Sequence, residues 1–167
     1  DIFAYLAAAR DAAARRTLQR NWRAVPGLVR AVNAVFGGAR APFLFDEIPF
    51  HPVQSAEKAR APLVVAGDGE APLRFWCLLR EDGQQPMSKA AAVPAAATAT
   101  AVEIARLLAA ADRGEARIGG TPLRGGDIAV LVRTNAQADR IRAALLARGI
   151  ASVQLGEESV FASHEAA

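Results

Sequence analysis

The residues best placed to do chemistry lie in Thr17-Leu18-Gln19-Arg20-Asn21-Trp22-Arg23-Ala24-Val25-Pro26, ahead of Leu28, Val29 and Asn33. Thr17-Leu18-Gln19 has a short extended pattern, and Pro26 suits an early helical position, where a missing N–H costs nothing. Arg23 therefore falls between a strand and a helix start. A guanidinium there can project into a cleft at a sheet edge, where an anionic ligand also meets free helix amides. By residue type alone, Trp22 reads as a core or interface aromatic and Arg23 as a surface cation. Other chemistries are excluded by what is missing. A phosphate-cradling loop needs Gly-Lys-Ser/Thr, whereas Lys58 precedes Ala59 and Lys89 precedes Ala90. His51 and His164 are the only histidines and have no acid pair at ligand spacing, so no metal site is expected. Cys77, the single cysteine, sits in Phe75-Trp76-Cys77-Leu78-Leu79 and reads as a buried, reduced thiol rather than a nucleophile. Glu157-Glu158 reads as a solvated charge pair.

The elements that must position these residues follow from periodicity and punctuation. Hydrophobic residues make up 52% of the 167 residues and charged ones 22%, enough for one domain with a core. No apolar run reaches the roughly 20 residues that span a bilayer, and no signal peptide opens the chain, so a cytoplasmic protein without a membrane role is expected. The net charge is +3, and only Lys58 and Lys89 of the 20 basic residues are lysine. This mild basicity permits nucleic-acid contact without demonstrating it. Residues 2–14 read as an amphipathic helix, and a second helix from Pro26 is closed by Gly37-Gly38. Residues 37–97 read as an irregular excursion with short strands at Phe43-Leu44-Phe45 and Leu63-Val64-Val65, a buried strand at Leu73–Leu79, and a loose linker over 82–96. A helix is expected from Thr98 or Thr100 to Gly114. The apolar run Ile128–Val132 fits a strand buried on both faces of a parallel sheet. A helix from about Ala136 to Arg148, stopped by Gly149, and a strand over Ile150–Leu155 complete a right-handed crossover. The fold class is α/β, and both ends look cut from a longer protein.

Against this background, Leu18-x-x-Asn21-Trp22-Arg23-Ala24, with Leu28-Val29 and Val32-Asn33, resembles motif IV of the UvrD/Rep/RecB helicases, usually Leu-x-x-Asn-Tyr-Arg-Ser before an apolar helix. Gly126-Asp127 through Asn135-Ala136-Gln137 resembles motif IVa, and Arg140, Leu145 and Gly149-Ile150 continue that pattern. Val160-Phe161 before Glu165 is similar to the Phe-Phe-x-x-x-Glu segment ahead of the family's 2B insertion. Asp1-Ile2-Phe3-Ala4-Tyr5, and Phe45-x-x-Ile48-Pro49-Phe50-x-Pro52-Val53, resemble RecB-type subunits more than other branches. The stretch from about Ala56 to Ala97 matches only loosely. Trp22 departs from the usual Tyr and Ala24 from the usual Ser; Trp keeps a flat stacking face, while Ala24 loses a hydroxyl.

The resemblance implies a partial RecA-like motor domain 2A over 1–167 from a superfamily 1A helicase, with a mainly parallel sheet flanked by helices. It places Trp22 on the adenine and Arg23 on the γ-phosphate of ATP, as cofactor-binding and catalytic residues, with Mg2+ held elsewhere in the parent. Arg133 and Asn135 match positions that hold single-stranded DNA, although Asn135 reads equally well as a helix N-cap. The P-loop domain 1A and the nuclease domain are missing, so the chain alone is expected to bind no nucleotide tightly and hydrolyse none. The parent would be a helicase-nuclease subunit of an exodeoxyribonuclease V-type complex. Its implied partners are RecC, RecD, and single- and double-stranded DNA, in repair of double-strand breaks. The rival readings are the same region of an AddA or UvrD helicase, or a standalone noncatalytic α/β binding module.

Overall fold

Where two extended segments of this chain find each other, short strands form; where they do not, extended backbone stays unpaired. The computed structural model describes residues 2–14, 16–43, 45–56, 60–69, 71–79 and 87–155. The matched segment from Gly156 to Glu165, and Lys58, lie outside the described residues. The chain is organised as two compact units. Unit 1 comprises Asp1–Leu63 and Asp68–Arg74, and unit 2 comprises Val64–Gly67 and Phe75–Ala167.

Unit 1 begins with α1 (Ile2–Asp11), three residues shorter than expected, which buries Leu6. Strand β1 (Arg20–Asn21) pairs in parallel with β2 (Gln54–Ser55), Arg20 opposite Gln54 and Asn21 opposite Ser55. Between them in sequence runs α2 (Pro26–Gly37), with Pro26 in its first turn and Val29 buried. Gly38 ends it as anticipated: its N–H donates to the Ala34 carbonyl at 3.1 Å, and the following Ala39 N–H donates to the Phe36 carbonyl at 3.3 Å. Phe36 stacks on Phe43 and Phe50 at 5.5 and 5.6 Å between ring centroids. That aromatic cluster organises the loop after α2, where no strand forms at Phe43. Phe3 meets Phe45 edge-on at 6.1 Å and Arg10 pairs with Glu47 at 3.1 Å, so α1 is held to the same loop.

Unit 2 is built around α3 (Lys89–Asp112), which begins nine residues before the expected Thr98. The linker reading over 82–96 is corrected from residue 89 onward. Ser88 caps the helix by accepting from Ala91 N, and the flanking alanines have the highest helix propensity, which outweighs the roughly 3 kcal/mol cost of Pro94 inside it. By length and composition α3 would also suffice to cross a membrane. In this fold Ala97, Ala101, Ile104, Ala110 and Ala111 are buried, and the helix packs on its neighbours in the unit. Strands β3 (Leu63–Val65), β4 (Ala116–Ile118) and β5 (Thr121–Pro122) form a sheet in that order, β4 and β5 antiparallel. The β4–β5 turn is Gly119-Gly120, both at positive φ (57° and 86°), the arrangement a two-residue hairpin requires. Helix α4 (Asn135–Leu146) packs on α3 through Ala101, Ile104 and Leu145, and Gly149 at φ 71° lets Ile150 N return to the Leu145 carbonyl at 3.0 Å.

Three further expected strands do not form. Residues 73–79, 129–132 and 150–155 pair with no strand among the described residues, and Leu131 is 95% exposed. Ile128, at the head of the second segment, touches both hydrophobic clusters of unit 2, and Ile150 touches one of them. A strand buried on both faces needs partners on both edges, and an apolar run supplies none of them itself. The buried-thiol expectation for Cys77 is corrected with its strand: the residue is exposed. The class is nevertheless mixed α/β with a small parallel pair, consistent with part of a RecA-like domain.

Candidate functional site

Asn21 is the last residue of β1, and its backbone carbonyl accepts from Ala56 N at 3.0 Å while Gln19 O accepts from Gln54 N at 2.8 Å. The chain must turn sharply here to enter α2. The Asn21 side chain makes that turn, because its Oδ1 accepts from both Arg23 N and Ala24 N at 2.9 Å. An amide oxygen that captures backbone two and three residues ahead is an Asx turn, which offers the chain an alternative to continuing the strand.

The turn leaves Trp22 exposed (63%) and Arg23 exposed, with no hydrogen bond or ion pair on the Arg23 guanidinium among the described residues. The core reading of Trp22 is thereby corrected. Val25, the residue before α2, provides no side-chain cap, so the first-turn amides of the helix keep their donors available. A flat aromatic face, a permanent planar cation and free helix amides within a few residues suit an anionic ligand carrying an aromatic ring.

Asn33 fixes the other side of this arrangement. Its Nδ2 donates to the Val53 carbonyl at 2.8 Å and its Oδ1 accepts from Val53 N at 3.3 Å. The side-chain amide thus behaves as a neighbouring peptide and ties α2 to the segment entering β2. The sequence places Asn21 and Asn33 inside a motif but assigns neither a task. The available signal was an Asn immediately before a strand-to-helix turn.

In unit 2, Arg133 and Asn135 sit at the start of α4. Thr134, not Asn135, is the N-cap, its hydroxyl accepting from Gln137 N at 3.3 Å. Gln137 returns the bond, its Oε1 accepting from Arg133 N at 3.0 Å. This reciprocal pair is a capping box shifted one residue toward the N-terminus. It corrects the capping alternative for Asn135, whose side chain is exposed and released from that duty, as is that of Arg133. Trp22 and Arg23 belong to one unit and Arg133 and Asn135 to the other. Among the described residues no group of His, Cys, Asp and Glu could hold a metal ion.

No family model matches the chain. The RecBCD enzyme subunit RecB of Escherichia coli (strain K12) is 37% identical over 177 residues, which covers 99% of this chain and 14% of that protein. RecB of Haemophilus influenzae is 32% identical over 171 residues, covering 99% of the chain and 13% of the relative. RecB of Mycolicibacterium smegmatis is 32% identical over 170 residues, with 99% and 15% covered. The chain therefore corresponds to only a small part of the length of the curated relatives it matches.

Proposed function

The chain is a RecB-family sequence, homologous to RecB along 99% of its length, and from that premise we propose that it supplies part of motor domain 2A of an ATP-dependent DNA helicase-nuclease subunit. In this reading Trp22 stacks on the adenine and Arg23 contacts the γ-phosphate, while Mg2+ and the remaining phosphate contacts come from the rest of the protein. Bound ATP supplies the phosphoryl group whose hydrolysis drives translocation. Arg133 and Asn135 hold single-stranded DNA, and the full protein works with RecC and RecD in the repair of double-strand breaks by recombination, in the cytoplasm.

The observation that carries this reading is the Asx turn at Asn21. It leaves an exposed Trp and an unpaired Arg at the mouth of an uncapped helix. Motif IV carries an Arg at the position of Arg23 and usually a Tyr at that of Trp22, whose flat face Trp keeps. A guanidinium suits charge that develops on a transferring phosphoryl group, and interactions made mainly in the transition state appear in kcat.

The test is Arg23→Ala in the full-length protein assembled in its complex. DNA-stimulated ATPase kcat should fall by about 10³-fold, at the low end of the arginine-finger range, with ATP affinity changed much less. Arg23→Lys should restore little, since an ammonium lacks the planar fork. Near-normal kcat with only a raised KM would sink the assignment.

A further inference from the structure

We infer that Asn21 is a positioning residue for Arg23, holding the guanidinium-bearing turn in its projecting geometry through two backbone hydrogen bonds; the inference rests on the nucleotide-contact reading of Arg23. Arg23 and Ala24 both give their N–H to one oxygen, Asn21 Oδ1, at 2.9 Å. Asn21 is itself fixed from the other direction by β1–β2 pairing opposite Ser55 and by its carbonyl bond to Ala56 N, a buried residue. Among the described residues no other side-chain hydrogen bond restrains the turn. The Arg23 side chain has no partner among the described residues, and Val25 leaves the following helix without a side-chain cap. The backbone direction from which Arg23 departs is therefore set by Asn21 more than by anything Arg23 touches. Small misplacements of a group acting on a reacting centre cost rate steeply, because the benefit of orientation is lost while binding from the rest of the site persists.

This makes a prediction that general destabilisation would not. In the full-length protein in its complex, Asn21→Ala should lower DNA-stimulated ATPase kcat by about 10- to 100-fold with little change in the KM for ATP, as expected for a misplacement on the order of 1 Å. Asn21→Asp keeps the accepting oxygen and should retain kcat close to the unsubstituted value. The Asn21→Ala/Arg23→Ala double variant should be no slower than Arg23→Ala alone, because a residue acting through another adds nothing once that other is gone. Additive losses in the double variant, or an Asn21→Asp enzyme as slow as Asn21→Ala, would overturn the inference. Should Asn21→Ala fail to fold, Asn21→Asp and Asn21→Ser carry the test. Both keep a hydroxyl or carboxylate oxygen able to accept from the turn, and a large kcat loss in both would refute the role. If Arg23→Ala itself leaves kcat untouched, the nucleotide-contact reading has failed. If Arg23→Ala is slow and Asn21→Ala is not, only the role of Asn21 has failed.

Discussion

Both units fix the backbone of an exposed arginine with a side-chain oxygen, Asn21 for Arg23 and Gln137 for Arg133, but unit 1 does so in a region with little core and unit 2 at the start of a helix packed into an alanine-rich core. In unit 1 buried apolar residues are few, with Leu6, Val29 and Ala56 the buried ones among the described residues. The Asn21 turn, the Asn33 bridge and a cluster of partly exposed phenylalanines carry much of the local order. Unit 2 instead packs small residues closely: Ala101 and Ala116 have no exposed surface, and Ile104, Leu123 and Leu145 fill the space around them. The contrast teaches where each kind of order is encoded. Polar bonds between near neighbours in sequence form regardless of what surrounds them. Close packing and strand pairing depend on partners that arrive from elsewhere.

The largest effect that would test this contrast is Phe36→Ala. Phe36 is half-buried and stacks on both Phe43 and Phe50. Its loss should cost about 2–3 kcal/mol, below the roughly 3–5 kcal/mol typical of a fully buried Phe. Hydrogen exchange should show faster opening of α2 and the following loop while α3 amides hold their protection. Equal loss of protection in α3 would mean that the two units open as one.

A smaller effect separates the proposed roles of the two arginines. Arg133→Ala in the full-length protein should raise the DNA concentration for half-maximal ATPase by about tenfold, roughly the 1.5 kcal/mol of one charge-assisted hydrogen bond, with kcat at saturating DNA preserved. Arg23→Ala acts on the opposite parameter. A fall in kcat for Arg133→Ala at saturating DNA would erase the division of labour.

The smallest effect is electrostatic. Arg113 lies 2.7 Å from Glu115, and its hydrogen bond, followed by its charge, holds the Glu115 carboxyl below its ordinary value of 4.5, while Glu115 raises Arg113. A carboxyl whose value is depressed on folding adds stability that is present above the unfolded value and is lost as the pH falls through the folded one. Both groups are exposed and screened by solvent, so the contribution is slight. Comparison of the parent with Glu115→Gln by thermal unfolding should show the two curves converging as the pH drops below about 4.5, by the same linkage. A constant difference down to strongly acidic pH would rule this pair out as the cause.

Much of the local structure was legible in the residues. Pro26, Gly114 and Gly149 mark helix boundaries because proline and positive-φ glycine act through their own backbone restrictions. The strand-to-helix placement of Arg23 followed from the same punctuation, and the RecB resemblance that the motifs suggested agrees with the relatives. The Gly119-Gly120 hairpin is equally local, since two glycines between short extended pieces are its usual sign. The early start of α3 was obscured by Pro94, whose local penalty is outvoted by the cap at Ser88 and the alanines around it.

Sequence by itself determined the types of side chain at the candidate site, the helix ends and the family to which the chain is homologous, because each depends on residue identity or short spacing. Tertiary structure alone decided that Trp22 stands in solvent and that Asn33 bonds to Val53 twenty residues away. It also decided that Ile128–Val132, apolar enough for a buried strand, remains unpaired. A strand is a property of two segments, and hydrophobicity states only that a segment can be buried; which edge receives it is settled by the chain that comes alongside.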